Sequence, residues 1–246
     1  MRKTNDRVEN ISFSPIRRIF DYVNVLKLQG KEVISLGVGE PDFDTPTHIN
    51  DAMFEATMKG ATHYTPNKGI PELRKAISNK LLKDNDLVYN PDEIICTVGV
   101  SEGVYIALSA FLNPGDEVLI PDPSWLNYGH VSTLNGAKSV YYSLTSENGF
   151  QINSDELEDL ITDKTKAIII LDPSNPTGEL AKKYDFLVIS DEIYEKIIYD
   201  DNKHYSVAAL PGMRERTITL NGFAKAYAMT GWRLGYLAAP AELIGP

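Results

Sequence analysis

The apolar residues of this chain recur with two spacings, which predict helices and strands in alternation. Near the amino terminus, Ile16, Ile19 and Val23 share one face of a helix that starts at Pro15. Further helices are predicted after Pro46, after Pro71, and over residues 101–112, 124–134 and 154–161. Short apolar runs predict strands at residues 33–38, 93–98, 118–120, 138–144, 167–171, 186–190 and 217–221. This alternation indicates an α/β domain with a mostly parallel sheet.

Polar loops follow many of the predicted strands. They cover residues 37–41, 99–103, 172–178, 191–194 and 221–225. In open α/β sheets, ligands bind beyond the carboxyl ends of the strands. We therefore expect these loops to meet at one site.

Charge and composition narrow the possible partners. Lys and Arg total 24 and Asp and Glu total 34, so the net charge is −10. This balance argues against a broad nucleic-acid surface, although it leaves room for one small anion pocket. The four histidines lack metal-ligand spacing, so no metal is predicted. Three features predict a cytoplasmic protein without a membrane partner. They are the single Cys96, a start without an apolar leader, and aliphatic runs of about five residues at most.

Ordered sequence motifs carry a family resemblance. GVGEPDFDTP, HYTPNKGIPELR, SNPTG, SDEIYE and NGFAKAYAMTGWRLGY resemble the fold type I pyridoxal-phosphate (PLP) aminotransferases of class I and II, which include aspartate and aromatic transaminases. The resemblance implies a three-layer sandwich around a mixed, mostly parallel sheet. It also implies an arm and small-domain segment at residues 1–44 and a cofactor-binding large domain at 45–246.

The resemblance also implies an activity. Such an enzyme moves an amino group between an L-amino acid and a 2-oxo acid by a ping-pong Schiff-base mechanism with PLP. Two alternatives stay open at this point. The same cofactor cage serves other enzymes, such as C–S lyases, and the chain could also be an inactive fragment of such an enzyme.

Three residues are the expected catalytic group. Lys225 follows an apolar strand, where an amine can lose water and become a nucleophile. By resemblance it carries the cofactor and shuttles the substrate's α-proton. Asp191 ends another apolar strand, and a buried carboxylate there needs a cationic partner. The resemblance makes that partner the pyridine nitrogen. Tyr194 resembles the tyrosine that donates to the ring oxygen.

Further residues are assigned to cofactor and substrate by resemblance. Trp125 would stack on the cofactor ring, and Asn175 would bond the ring oxygen; both would border the substrate. Gly39 would meet the substrate carboxylate. Tyr128, one turn after Trp125, would face the substrate or line the pocket.

The phosphate is expected at the start of a helix. The residues matched there are Val100, Ser101 and Glu102, and Arg233 would pair with the same anion. The carboxylate of Glu102 would repel a phosphate, so only its backbone N–H is expected to contribute. Tyr64 resembles a tyrosine that reaches the phosphate of the other subunit, which implies a homodimer.

The chain departs from the family's pattern in several places. Gly222 and Ala224 stand where serines are frequent, so a slightly weaker phosphate cup is expected. The sequence stops soon after Arg233, so we expect most of the small domain and the substrate-carboxylate arginine to be absent. Asn175 and Asp191 are only 16 residues apart, which predicts a shortened crossover near 179–185 and residues missing from the family's pattern.

Overall fold

The fold is a seven-stranded mixed sheet covered by helices on both faces. The computed structural model describes residues 4–11, 13–37, 39–171 and 175–245, with the backbone alone for 175–179. The helices are α1 (Asp6–Glu9), α2 (Pro15–Leu28), α3 (Thr47–Met58), α4 (Pro71–Asn85), α5 (Gly99–Phe111), α6 (Asn127–Leu134), α7 (Ser154–Asp159), α8 (Asn175–Tyr184) and α9 (Ala241–Ile244). The strands are β1 (Ile94–Thr97), β2 (Glu117–Asp122), β3 (Lys138–Ser143), β4 (Thr165–Ile170), β5 (Leu187–Asp191), β6 (Thr217–Gly222) and β7 (Gly235–Ala238). Short 3-10 turns lie at Pro91–Glu93, Ser146–Asn148, Val207–Ala209, Arg214–Arg216 and Thr230–Trp232.

The strand order is β1-β7-β6-β5-β4-β2-β3. Strands β6, β5, β4, β2 and β3 pair in parallel, whereas β7 is antiparallel to both β1 and β6. The predicted mixed, mostly parallel sheet is thus confirmed. The apolar runs of β4 and β5 reflect burial from both faces, as is usual for central parallel strands.

Apolar side chains on the two faces of the sheet form separate cores. One core packs α5 and α6 against the sheet around Leu108, Ile189 and Leu220. On the opposite face, α7 and α8 cover Ile168 and Val188. On that same face, a third group joins α4 to β1 and β7. Helix, sheet and helix therefore form the three predicted layers.

The β4–β5 crossover differs from the expectation of a loop at 172–178. Helix α8 begins at Asn175 and runs for 10 residues, so the last part of SNPTG forms its first turn. The physical reason is length, because a parallel crossover needs roughly a dozen residues, so the 16 residues between Ile170 and Leu187 suffice only if the SNPTG segment takes part in the helix. Leu180 and Ala181 are buried and anchor the helix on the sheet. Residues 172–174 lie outside the described residues.

The predicted strand at 33–38 is wrong for residues 33–37, which have no regular structure, and Val38 lies outside the described residues. Ile34 and Leu36 are 94% and 95% exposed, so their side chains are almost unpacked within the described part of the chain. A strand needs a hydrogen-bonded neighbour, and the seven-stranded sheet does not offer one to this segment. Strand β7, in contrast, was not predicted as an element.

No helix in the described ranges is long and apolar enough to cross a membrane.

The contact between β7 and the start of α5 predicts a steric requirement for glycine. A Cβ on Gly235 would lie 2.7 Å from the backbone carbon of Gly99 and the backbone nitrogen of Val100. Gly235→Ala should therefore lower the free energy of unfolding by about 1–3 kcal/mol, as overpacking does. Gly231→Ala is the control, because a Cβ there meets nothing within 4 Å, and it should change stability by less than about 0.5 kcal/mol. Urea unfolding of both variants would check this, and equal midpoints would contradict the tight contact.

Candidate active site

The direction of the strands brings the chemically active residues to one edge of the sheet. Asp191 ends β5, and Lys225 lies three residues after β6. Parallel strands end at the same edge, so these residues are neighbours. Strand β7 runs the opposite way, so Arg233, just before its start, lies at that edge too.

The carboxylate of Asp191 is buried, with 4% of the residue exposed. Its Oδ2 accepts a hydrogen bond from the phenol of Tyr128 at 2.7 Å, and its Oδ1 accepts one from the backbone N–H of Ile193 at 3.2 Å. Burial raises the pKa of Asp191 to about 6, while these two hydrogen bonds act in the opposite direction. No lysine or arginine among the described residues contributes to this shift. The site thus presents a desolvated carboxylate without a cation.

Tyr128 holds this carboxylate from helix α6. It is 1% exposed, and its ring meets that of Trp125 edge-on at 5.3 Å between centroids. The sequence left two positions open for Tyr128, facing the substrate or lining the pocket. Its main contact is instead the hydrogen bond to Asp191. Trp125 itself is 37% exposed, so part of its side chain is open to solvent.

Lys225 and Tyr194 line a cavity of about 560 Å³ together with Gly39. The Lys225 ammonium donates to the carbonyl of Gly39 and lies 5.6 Å from the centroid of the Tyr194 ring. Partial burial lowers the pKa of Lys225; nearby Arg233 acts in the same direction and Glu40 against it. Burial also raises the pKa of Tyr194, so its phenol keeps its proton and can donate it in a hydrogen bond. The structure therefore places three of the predicted residues around one opening.

A second part of the site suits an anion. Helix α5 begins at Gly99, whose φ is +71°, and a Cβ there would lie 2.7 Å from Arg233 Nη2. The guanidinium thus lies against the helix start, where free N–H groups and the helix dipole attract negative charge. Ser101 is exposed in this first turn. The Glu102 carboxylate accepts from the Val98 N–H at 2.5 Å, so its charge is directed back to the backbone.

Asn175 and Tyr64 are two further predicted residues. The side chain of Asn175 lies outside the described residues. Tyr64 is fully exposed and borders a separate surface pocket with its chain neighbours. Within this chain, Tyr64 therefore does not join the group around Lys225.

A buried polar cluster beside the site was missed by sequence reasoning. Its members are Lys80, Asn85, Glu192, Glu195, His204 and Ser206. Asn85 donates to Glu195 at 2.7 Å, and Ser206 donates to Glu192 at 2.6 Å. The two acidic residues are visible in SDEIYE, but their partners lie about a hundred residues away or in a loop, so no local pattern reveals the cluster.

The cluster contains the one grouping, among the described residues, in which His and Glu side chains approach as metal ligands do. Ligand atoms of Glu192, Glu195 and His204 lie within 4.8 Å of one another. However, the ammonium of Lys80 pairs with Glu195, and the side chains of Ser190 and Ser206 donate to Glu192. The carboxylates are thus already paired by protein groups, and the arrangement is a structural one.

Comparisons with known proteins agree with this geometry. Residues 31–245 match the family described as aminotransferase class I and II. The chain is 50% identical to an aspartate aminotransferase of Pyrococcus abyssi and 47% identical to aromatic-amino-acid aminotransferase 2 of Thermococcus litoralis, in each case over 98% of this chain. The structure of Thermus thermophilus aspartate aminotransferase with maleate superposes with a TM-score of 0.94 at 37% identity, covering 99% of this chain and 66% of that one. The chain belongs to the class I and II aminotransferase family.

The matched relatives are longer than this chain. It spans 64% of the length of the Pyrococcus abyssi and Thermococcus litoralis proteins. The first of these alignments runs over 253 positions, more than the chain's own 246 residues. That relative therefore carries residues within the aligned region that have no counterpart here.

The buried state of Asp191 predicts a pH dependence of stability. The folded pKa of about 6 lies above the ordinary 3.8, so the folded chain binds the proton more tightly. This contribution is fully present below about pH 4 and is lost as pH rises through 6. The stability of the wild type relative to Asp191→Asn should fall by about 2 kcal/mol between pH 4.5 and 7.5. Urea unfolding at both pH values measures this difference, and parallel profiles would contradict it.

Proposed function

We propose that this chain is the cofactor-binding part of a PLP-dependent aminotransferase that moves an amino group between an L-amino acid and a 2-oxo acid. The observation that carries the proposal is the buried Asp191 carboxylate, which has no cationic partner among the described residues, at the same sheet edge as the amine of Lys225 and the Arg233 guanidinium at the start of α5. A ligand with a cationic ring nitrogen, a carbonyl group and a phosphate matches these three features. The names of the relatives suggest aspartate and aromatic amino acids as the first donors to test.

The residues present fit PLP by their chemistry. When bound, PLP supplies a phosphate, an aldehyde that condenses with amines, and an electron-withdrawing ring. The start of α5, with Val100, Ser101 and Glu102, would hold the phosphate through backbone N–H groups, and Arg233 would pair with it. Asp191 would pair with the ring nitrogen, in agreement with its need for a cation. The exposed part of Trp125 offers an aromatic face for stacking.

The environments of Lys225 and Tyr194 support the roles proposed for them. Because the pKa of Lys225 is lowered, a larger fraction of its amine is neutral, so Nζ can accept the proton from the substrate's α-carbon and later return it. The protonated phenol of Tyr194 would donate to the ring oxygen, and so would the amide of Asn175. Gly39, Trp125 and Asn175 would border the substrate.

A second copy of this chain would complete the site. Tyr64 is fully exposed, and the apolar face of α2, with Ile16, Ile19 and Phe20, is about half exposed. Such surfaces are typical of contacts between chains. We propose a homodimer in which Tyr64 reaches the phosphate of the partner subunit.

We also propose the boundaries of the two parts of the chain and its cellular location. Residues 1–44 would form the arm and small-domain segment, and 45–246 the large domain. Helix α2 buries only Val23, which supports a separate arm. The lone free Cys96 agrees with a cytoplasmic location.

The first test labels the lysine. After incubation with PLP and reduction by borohydride, mass spectrometry should find the adduct on the peptide that contains Lys225. Lys225→Ala should abolish the adduct and lower transamination of aspartate and of phenylalanine by about 10²–10⁴-fold. Lys196→Ala is the matched control, because Lys196 lines the same cavity and pairs with Asp84. An adduct on Lys196, or none at all, would refute the assignment of Lys225.

The second test concerns the partner subunit. Tyr64→Phe should raise the Kd for PLP by about tenfold or more, because a hydrogen bond to a charged group is lost. Tyr205→Phe, at another exposed tyrosine, should leave the Kd unchanged. Sedimentation velocity would establish the dimer in the same samples. A wild type that is monomeric and has the same Kd for PLP as Tyr64→Phe would overturn the shared site.

A further inference from the structure

The phenol of Tyr128 is fixed from several directions and aimed at one acceptor. Its ring is packed edge-on against Trp125, and its backbone carbonyl accepts from the Ser132 hydroxyl at 2.9 Å. The residue is 1% exposed, so water does not compete for its hydroxyl. Its hydrogen bond goes to Asp191 Oδ2 at 2.7 Å. Tyr128 therefore acts on the carboxylate and has little surface for a ligand.

The direction of this hydrogen bond follows from charge. Burial and the nearby Asp191 raise the pKa of Tyr128 well above its ordinary value, so the phenol keeps its proton and donates. A donor to a carboxylate favours the ionised form. The backbone N–H of Ile193 donates to the other oxygen, Oδ1. Each oxygen thus has one protein donor and keeps a second acceptor position for a ligand.

The donor is needed because the other influences act against ionisation. Burial raises the pKa of Asp191, and the negative charge of neighbouring Glu192 acts in the same direction. Tyr194 is three residues from Asp191, and burial together with the Asp191 charge raises the pKa of its phenol, which therefore stays neutral. Besides the backbone amide, Tyr128 is the group that opposes these effects. Without it, the carboxyl group would be protonated near neutral pH and would lose the charge that attracts a cation.

We propose that Tyr128 is a positioning residue, whose phenol holds the Asp191 carboxylate ionised and oriented to receive a protonated ring nitrogen. The role toward that ligand rests on the proposed function. The effect on Asp191 itself does not, because the hydrogen bond exists within this chain alone.

The experiment titrates Asp191 in the chain without cofactor. Carbon-13 NMR of labelled aspartate carboxyls, with Asp191→Asn to assign the signal, gives its pKa. Tyr128→Phe should raise that pKa by about one to two pH units. Tyr142→Phe is the matched control, because Tyr142 is an equally buried tyrosine that donates to the carbonyl of Ile169 at 2.7 Å. It should leave the pKa of Asp191 nearly unchanged.

A second variant keeps the shape of the side chain. Difluorotyrosine at position 128 is a stronger donor of nearly the same size, so it should lower the pKa of Asp191, and it provides the test should Tyr128→Phe not fold. An unchanged pKa in the difluorotyrosine chain, or equal shifts in Tyr128→Phe and Tyr142→Phe, would overturn the proposal.

The ligand role is measured separately with PLP. The Kd of Tyr128→Phe for PLP should rise by about tenfold or more at pH 7, and the excess should shrink as pH rises and the carboxyl group ionises again. A raised pKa with an unchanged Kd at every pH would overturn the positioning role. Failure of the wild type to bind PLP would instead refute the proposed function, and the titration without cofactor would still decide whether Tyr128 controls Asp191.

Discussion

The direction of the strands is the constraint on which the site depends. Parallel pairing of β4, β5 and β6 puts the ends of these strands at one edge. Strand β7 is inserted antiparallel between β6 and β1, so its start lies at that same edge. The close contact of Gly235 with the start of α5 then places Arg233 at the helix terminus. The position of Arg233 is thus a consequence of one antiparallel strand and of two glycines: Gly235 lets the backbone of β7 approach α5, and Gly99 leaves room for the guanidinium.

The adjacent carboxylates of Asp191 and Glu192 lie on opposite faces of the sheet and differ in their hydrogen-bond partners. Glu192 faces the α4 side, where hydroxyl and amide groups and His204 surround it. Asp191 faces the α6 side, where its hydrogen-bond donors among the described residues are a phenol and one backbone amide. Buried charges that serve the fold are paired within it, because leaving them unpaired is costly. Asp191 has no cationic partner in the described part of the chain, which agrees with the ligand role that we propose for it.

The sequence was sufficient for elements whose cause is local. The apolar runs of β4 and β5, and the proline and glycine residues near helix ends, reflect constraints that act within a few residues. The sequence was insufficient where contacts between residues far apart in the chain determine the structure. The 33–37 segment is apolar but has no neighbouring strand, so periodicity alone was misleading. The contact of Tyr128 with Asp191 joins residues 63 apart, and Asn85 meets Glu195 across 110. Such pairs are set by the packing of helices on the sheet, which spacing does not encode.

Helix α8 of the β4–β5 crossover begins at Asn175, near the sheet edge at which β4 ends. The other end is held firmly, because Tyr184 donates to Glu158 of α7 at 2.6 Å and Lys183 pairs with that same carboxylate. Arg216 donates to the carbonyl of Ala181 at 3.1 Å and to Asp185 at 2.8 Å, which satisfies a helix terminus. Helix α8 is thus fixed at the end that leads into β5, and β5 is in register with β4. Helix α8 thus closes the parallel crossover, and the register of β4 and β5 positions Asp191 at the end of β5.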